Sequence, residues 1–209
     1  MDFNGSFNKV IEELVMNVLP SLVIVRGHRF GGGAGMIWSA DGLVLTNNHV
    51  VGRRKPIIKL NDESEHEARL ISRSPEEDLA LLKIDASDLK PLEPAPENPR
   101  VGELAFAFGH PWGQRNSVTR GIVSALLNAK TSQGRTLPVI RSDAPLAPGN
   151  SGGPLVNSRG QVIGINAMIM GGDQSLAISV QAARNFVLKV VGEEKIGVGD
   201  QQPIPEGVL

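Results

Sequence analysis

The sequence has no cysteine and no tyrosine among its 209 residues, and few aromatic side chains in total. Without cysteine there is no disulfide, no thiol nucleophile, no iron–sulfur cluster and no cysteine-ligated zinc. Four histidines are present, and none is spaced from another as metal ligands usually are. These are His28, His49, His66 and His110. We therefore expect no metal and no organic cofactor.

Neither sign of charge is in excess. Lysine and arginine total 21 and aspartate and glutamate total 22, so the net charge is −1. A phosphate backbone needs a basic surface, and we therefore expect no nucleic-acid partner. No apolar run reaches the roughly 18 residues needed to cross a membrane, so no membrane span is expected.

The N-terminal residues lack the basic stretch and apolar core of a secretory leader. Two compartments are therefore compatible with the sequence. The sequence as written favours the cytoplasm, whereas a leader removed beforehand would place the protein outside the cytosol or in the periplasm.

Glycine and proline are plentiful, with 24 and 14 residues, which favours many short strands and turns. A run with four prolines at 91–100 predicts a semi-rigid connector between two strand-rich halves. The predicted strands are Leu22–Val25, Ala34–Trp38, Leu43–Thr46, Pro56–Leu60, Glu67–Ile71, Leu79–Ile84, Glu103–Phe108, Val118–Leu126, Leu137–Arg141, Pro154–Asn157, Gln161–Met170 and Leu176–Val180.

Helices are predicted at both ends of these strands. Apolar spacing indicates one helix over residues 6–19, capped by Ser6 or Asn8 and ended by Pro20. A second is predicted over 181–191, with Gly192 as its stop. Segment 1–20 then precedes the body of the protein, and 193–209 forms a tail.

The strongest local signal for chemistry is the glycine-rich run from Pro148 to Leu155, with Ser151 inside it. Glycines permit a tight turn, and successive amides in such a turn can face one point and stabilise an oxyanion. An ordinary glycine-rich turn between strands would have the same composition. Taken alone, the run leaves the two interpretations about even.

A serine nucleophile needs a base and a carboxylate that orients it. His49 follows one apolar strand, and Asp78 precedes another. An α/β-hydrolase needs its histidine after the serine, but no histidine follows Ser151. The subtilisin order needs an aspartate before the histidine, and Asp41 lies in a predicted hairpin turn. The order His, Asp, Ser on an all-β chain remains.

These segments resemble the HtrA/Deg family of trypsin-like serine proteases, from about residue 10 to about residue 190. The resemblance implies a chymotrypsin-like, all-β fold of two six-stranded antiparallel β-barrels, about 21–90 and 101–180, within a protease unit at 21–192. It places the active site in the crevice between them. The matching segments are Gly33–Ile37, Leu43–Val51, Asp78–Ile84, Gly121–Ser124, Pro148–Val156, Gly164–Ala167 and Leu176–Ile178.

The same resemblance implies the roles of the site residues. His49 would act as general base and then acid, Asp78 would orient it, and Ser151 would be the nucleophile. The oxyanion hole would comprise Gly149, Asn150 and Ser151, with the amides of Gly149 and Ser151 as donors.

The family's specificity pocket is lined by residues just before the nucleophile and by a later strand. Because none of them is acidic, a buried lysine or arginine of the substrate would have no partner, and we expect cleavage after small or medium aliphatic residues. Pairing of the later strand with an extended backbone suits unfolded protein substrates. The lining residues are Pro145, Leu146, Ala147, Asn166, Ala167, Met168 and Ile169.

Regulation is also inferred from the resemblance. Because Asn150 is neutral, we expect no activation by capture of a new N-terminus. Loops at Gly171–Gln174 and Asn128–Arg135 are expected to make and unmake the oxyanion hole. Trimers in this family form through N-terminal segments, which makes Phe3 and Phe7 candidates for a homo-oligomer contact.

Two departures from the family pattern are visible. Asn48 stands where alanine is commoner before the catalytic histidine, so that a polar side chain lies beside the predicted base. No PDZ domain follows the protease unit in this sequence. The alternative function is a catalytically silent or latent relative that binds peptides as a chaperone or scaffold, and an esterase is a third option.

The glycine-rich run at 31–35 and three of the histidines are expected to have structural roles only. The glycine-rich run at 31–35 lacks the ending of a phosphate-binding loop and predicts a strand that packs closely near the cleft. His28, His66 and His110 are expected on the surface or in loops.

Overall fold

The structure is a computed structural model, and it describes residues 3–28, 31–52, 55–170 and 174–192. Twelve strands form two closed antiparallel barrels, and a helix lies at each end of the described chain. This confirms the predicted fold of two six-stranded barrels. The predicted tail at 193–209 lies outside the described residues. Within them, no helix is long and apolar enough to cross a membrane.

The first barrel has the strand order β1-β2-β3-β6-β5-β4. Its strands are β1 (Leu22–His28), β2 (Gly31–Ile37), β3 (Leu43–Thr46), β4 (Ile57–Lys59), β5 (Glu65–Ser74) and β6 (Leu79–Ile84).

The second barrel has the strand order β10-β11-β12-β9-β8-β7. Its strands are β7 (Leu104–Gly109), β8 (Ser117–Lys130), β9 (Thr136–Ser142), β10 (Pro154–Val156), β11 (Val162–Met170) and β12 (Gln174–Ser179).

The neighbouring strands β3 and β6 are apolar at almost every position because both of their faces are buried. Alternate side chains of a strand point to opposite faces. One set, including Val44 and Leu82, fills the interior of the first barrel. The other set, including Leu45 and Leu81, packs in a cluster with Phe106 and Phe108 of the second barrel. A shared apolar core therefore fixes the two barrels against each other.

The chain crosses between the barrels in the proline-rich connector at 91–100. Leu92 donates its N–H to Ile37 of the first barrel, at 3.3 Å. Ala95 donates to the carbonyl of Val162 in the second barrel, and the Val162 N–H donates to Glu93, both at 2.8 Å. The connector is therefore anchored to both barrels by its backbone.

The C-terminal helix α2 (Val180–Val191) ends at the predicted residue and begins one residue earlier than predicted. Ser179 accepts a hydrogen bond from the Ala182 N–H at its start, and Gly192 ends it with a φ of +72°. A left-handed residue at this position is favourable only for glycine.

The N-terminal helix α1 (Phe3–Val18) begins earlier than predicted. Ser6 and Asn8 therefore lie inside the helix, and the expectation that either caps it was wrong. The Phe7 ring lies 6.0 Å from the guanidinium of Arg120 on β8, so this first part of α1 has a tertiary contact that local cap preference does not report.

The predicted loop at Asn128–Arg135 is shorter than expected. Residues 128–130 continue β8 and pair with residues 136–138 of β9. Only 131–135 form the turn, in which Gly134 has a φ of +77°. The strand continues because the backbone of 128–130 pairs with β9 even though the local sequence includes polar residues. Of the other predicted loop, Gly171–Gln174, residues 171–173 lie outside the described residues, and Gln174 begins β12.

Candidate active site

The hydrogen-bonded pair of His49 and Asp78 lies at one end of the first barrel. Strands β3 and β6 are antiparallel and pair Thr46 with Ala80, so the end of β3 lies beside the start of β6. A short 3₁₀ turn, Asn48–Val50, follows β3 and carries His49. Asp78 immediately precedes β6. The strand register therefore brings the two side chains together across 29 residues of sequence.

Asp78 holds the histidine through both of its carboxylate oxygens. His49 Nδ1 lies 2.7 Å from Asp78 Oδ2, and the His49 main-chain N–H donates to Asp78 Oδ1 at 3.0 Å. Carboxylate oxygens accept hydrogen bonds, so this contact orients Nδ1 as the donor toward Asp78. A general base at Nε2 requires this orientation of the ring.

Ser151 lies in a tight turn of the second barrel, between β9 and β10. Gly149 and Gly152 have φ values of +108° and +85°, which only glycine adopts at low cost. The Asn150 N–H donates to the Ala147 carbonyl at 3.0 Å, and the Asn150 carbonyl accepts from Gly153 at 3.1 Å. The glycines are therefore needed for the turn that presents the serine.

The serine turn packs directly against the first barrel. The Ser151 carbonyl accepts a hydrogen bond from Ala34 of β2, at 2.8 Å. A Cβ on Gly33 would lie 2.7 Å from that carbonyl, and one on Gly152 would lie 2.2 Å from Thr46 Oγ1. This confirms that the glycine-rich strand packs closely at the cleft. Since Thr46 ends the strand before the His49 turn, the serine and histidine segments meet at the barrel interface.

Two amides of the serine turn are oriented by their neighbouring carbonyls. The Pro148 carbonyl accepts from Trp112 at 2.9 Å, and the Asn150 carbonyl accepts from Gly153. All described peptide bonds are trans, so the N–H groups of Gly149 and Ser151 point away from these donors. Among the described residues, neither amide donates to a protein acceptor.

Asn150, included in the predicted oxyanion hole, has a different position. Its amide is bonded to Ala147, and only 3% of the residue is exposed. A Cβ on Gly109 would lie 2.6 Å from its Cα and from its Oδ1. Asn150 thus packs over the end of β7, and its amide, unlike those of Gly149 and Ser151, donates to a protein carbonyl.

The Ser151 hydroxyl donates to the carbonyl of Ala167, at 3.3 Å. A bulge in β11 between Asn166 and Met168 takes Ala167 out of the ladder with β12 and turns it toward the serine. The Ala167 carbonyl therefore lies beside the Ser151 hydroxyl, at the bulge of β11.

Other predicted substrate-binding residues are placed differently. Asn166 is buried, and its side chain donates to the carbonyls of Phe108 and Pro154, so it supports the serine turn from behind. Leu146 is half-buried against the core of the second barrel. The side chains of Met168 and Ile169 lie outside the described part of the structure.

His110 was expected in a loop or on the surface, and it lies in the loop after β7 but is buried. Only 3% of it is exposed, because the chain leaving β7 passes beneath the serine turn. Its N–H donates to the Gly149 carbonyl at 3.2 Å, and its Nδ1 accepts from Asn116 at 3.3 Å. Burial lowers the pKa of His110 to about 4, partly opposed by the main chain of Val23.

Two contacts between the barrels were not found from the sequence. Arg115 donates to the carbonyls of Leu60 and Asn61 in the β4–β5 turn, at 3.1 and 3.3 Å. On the other side, Ser132 at the tip of the β8–β9 hairpin donates to Glu76 at 2.5 Å. Both contacts join polar residues far apart in sequence, and no periodicity marks them.

Comparison with known proteins agrees with this geometry. A family model described as a trypsin-like peptidase domain matches residues 33–165. A curated protein from Pseudomonas putida strain F1, named "Probable periplasmic serine endoprotease DegP-like", is 45% identical over 159 residues, which cover 71% of this chain and 32% of that protein. A Marinomonas protein of the same name is 41% identical over 179 residues, covering 82% of this chain and 38% of that protein.

A solved structure of a serine endoprotease from Yersinia pestis has the same fold. It superposes with a TM-score of 0.78 at 29% identity, over 88% of this chain and 67% of that one. The chain spans about a third of the length of these curated relatives, for example 32% of the Pseudomonas protein. On the match to the family model, the chain belongs to the family of trypsin-like peptidase domains.

Proposed function

We propose that this protein is a serine endopeptidase that hydrolyses peptide bonds through an acyl-enzyme on Ser151. The observation that carries the proposal is the 2.7 Å contact between His49 Nδ1 and Asp78 Oδ2, next to the interface where the serine turn packs on the first barrel. The curated relatives named serine endoproteases support the same reaction class.

In the proposed reaction His49 Nε2 accepts the proton of Ser151 Oγ while Oγ attacks the scissile carbonyl carbon. The amides of Gly149 and Ser151 stabilise the negative oxygen of the tetrahedral intermediate. The imidazolium then gives its proton to the leaving amine, and the acyl-enzyme forms. Water, deprotonated by His49, attacks the ester and releases the second product and the free hydroxyl.

For substrate, we propose unfolded or misfolded protein cut after small or medium aliphatic residues. Leu146 and Ala167 supply apolar surface beside the serine turn. A set of peptides that differ only in the residue before the scissile bond tests this. Faster cleavage after valine or alanine is expected, and a preference for arginine would refute it.

We further propose a homo-oligomer formed through α1, and a role in protein quality control outside the cytosol, as the periplasmic relatives suggest. Val10 and Met16 on α1 are 54% and 70% exposed, which leaves apolar surface for a subunit contact. Light scattering on the full chain and on a variant lacking residues 1–8 tests the assembly. The same number of subunits in both proteins would contradict an assembly through this segment.

Digestion of casein by wild type and by Ser151→Ala tests the activity itself. Wild type is expected to digest casein, and the variant is expected to lose digestion while keeping its fold, because the hydroxyl is the only group removed. If wild type binds casein but neither digests it nor reacts with a fluorophosphonate, a peptide-binding scaffold is the better description. Ester hydrolysis without casein digestion would indicate acyl transfer on other substrates.

A further inference from the structure

The 3₁₀ turn that carries His49 is held on its carbonyl side by Arg73. Arg73 Nε donates to the side-chain oxygen of Asn48. Its Nη2 donates to the Asn48 carbonyl at 3.2 Å and to the Val51 carbonyl at 3.3 Å. These acceptors flank His49 on both sides, so one guanidinium spans the whole turn.

The amide side of the same turn is held by Asp78. The Asp78 carbonyl accepts from Asn48 N–H at 3.0 Å, and its carboxylate accepts from His49 N–H at 3.0 Å. Arg73 lies one residue before the end of β5, Asp78 precedes β6, and the ladder pairs Arg73 with Ala80. The β5–β6 hairpin therefore supplies the donors that bind the carbonyls of the turn and the acceptors that bind its amides.

We propose that Arg73, through Asn48 and Val51, is a positioning residue for His49. The inference rests on the proposed peptidase reaction, and it assigns a use to Asn48. The planar guanidinium presents several donors in a fixed geometry, so it can satisfy three acceptors at once. Without it, the carbonyl side of the turn loses all three of these hydrogen bonds, and the backbone on both sides of His49 is held less firmly.

The effect belongs to catalysis because the acceptors surround the base and not the substrate. A small misplacement of a catalytic group can cost as much as 10²-fold in rate. For Arg73→Ala we therefore expect kcat to fall about tenfold with KM nearly unchanged. Arg73→Lys keeps the charge but offers a single nitrogen, so it should restore less than half of the lost rate.

Asn48 supplies one of the three acceptors and is the second variant. Asn48→Ala should lower kcat about threefold, since the two backbone acceptors remain. In the Arg73→Ala background the same change should have little further effect, because its partner has been removed. Non-additivity of this kind would not arise if the two residues acted separately.

Arg69→Ala is the matched control, since it removes the same charge from the same strand. All variants are compared by kcat per titrated active site on a peptide substrate, which corrects for any unfolded fraction. The low-field proton NMR signal of His49 Nδ1–H is recorded in parallel, because it reports the bond to Asp78 whether or not the enzyme turns over. We expect Arg73→Ala to broaden this signal and Arg69→Ala to leave it unchanged.

The proposal is overturned if Arg73→Ala matches Arg69→Ala in both kcat and the NMR signal, or if Arg73→Lys equals wild type. A wild type that does not react with a fluorophosphonate would refute the proposed peptidase function instead. In that case the NMR comparison still tests the positioning of His49 by Arg73.

Discussion

At the scale of single residues, Asp78 joins backbone strain to function. Its φ of +51° lies in the left-handed region, which residues with a Cβ seldom occupy. Its carbonyl accepts from the side-chain amide of Asn47 and from the main-chain N–H of Asn48. Its carboxylate accepts from the main-chain N–H of His49. Such strain persists only where the surroundings hold the residue firmly, and it is concentrated at functional sites. The conformation that costs energy is the one that aims the carboxylate at His49.

His110 provides a prediction about pH. The pKa of the buried ring is about 4, below its ordinary value of 6.5, so the unfolded chain binds a proton more readily than the folded one. The free energy of unfolding should fall by up to about 3 kcal/mol as the pH drops from 6.5 through 4.

Urea denaturation of His110→Asn across that pH range measures this. Because asparagine does not titrate, the variant should lose less stability than wild type on acidification. Equal slopes for wild type and His110→Asn would contradict the assignment of this loss to His110.

Gly152 and Gly102 separate steric contact from backbone strain. Both have φ near +85 to +89°, but a Cβ on Gly152 would lie 2.2 Å from the Ala34 carbonyl, and one on Gly102 meets nothing within 4 Å. Gly102→Ala should cost about 1–2 kcal/mol from the left-handed backbone alone. Gly152→Ala should cost more than about 3 kcal/mol and abolish activity, because the serine turn must move off the first barrel. Equal unfolding free energies would show that the turn tolerates displacement.

At the scale of elements, strand patterns were predicted from sequence more fully than helix starts and polar contacts. All twelve strands were found at their predicted places, because runs such as Leu43–Thr46 and Leu79–Ile84 are apolar on both faces. β5 and β8 extend further than predicted, since their added residues are polar and partly exposed. The burial of His110 could have been suspected, because it directly follows the buried strand β7.

In the candidate site, too, some residues could be predicted from the sequence and some polar contacts could not. The spacing of motifs indicated His49, Asp78 and Ser151, because each lies at the end of an apolar strand or in a glycine-rich turn. The contacts of Arg73, Glu76 and the 110–116 segment could not be predicted. Each is a small set of hydrogen bonds between residues distant in sequence, and such contacts leave no repeating pattern in the chain.

Glu76 links two hairpins and gives a prediction at this scale. Its carboxylate accepts from the Ser132 hydroxyl and from the Gln133 N–H, and the bond from Ser132 lowers the pKa of Glu76. Glu76→Ala should speed hydrogen exchange at the Gln133 amide, because the bond that protects it is lost.

The neighbouring Glu77→Ala is the control for Glu76→Ala, since it removes a carboxylate of the same loop. Exchange at Gln133 should be unchanged there. The same protection of Gln133 in both variants would show that the tip of the β8–β9 hairpin is held by other contacts.

At the scale of the whole molecule, the cleft exists because the two barrels share one apolar core. Leu45 and Leu81 from the first barrel and Phe106 and Phe108 from the second belong to the same buried cluster, together with residues of both helices. The proposed reaction requires such a rigid interface, because the base comes from one barrel and the hydroxyl from the other, and a small misplacement of either group costs rate.

The most direct test of this account is the rate and position of covalent modification by a fluorophosphonate, followed by mass spectrometry. The account predicts an adduct on Ser151 in wild type, none in Ser151→Ala, and labelling slowed at least about a hundredfold in His49→Ala. Equally rapid labelling of Ser151 without His49, or an adduct on another residue, would contradict the claim that the first barrel supplies the base for a nucleophile in the second.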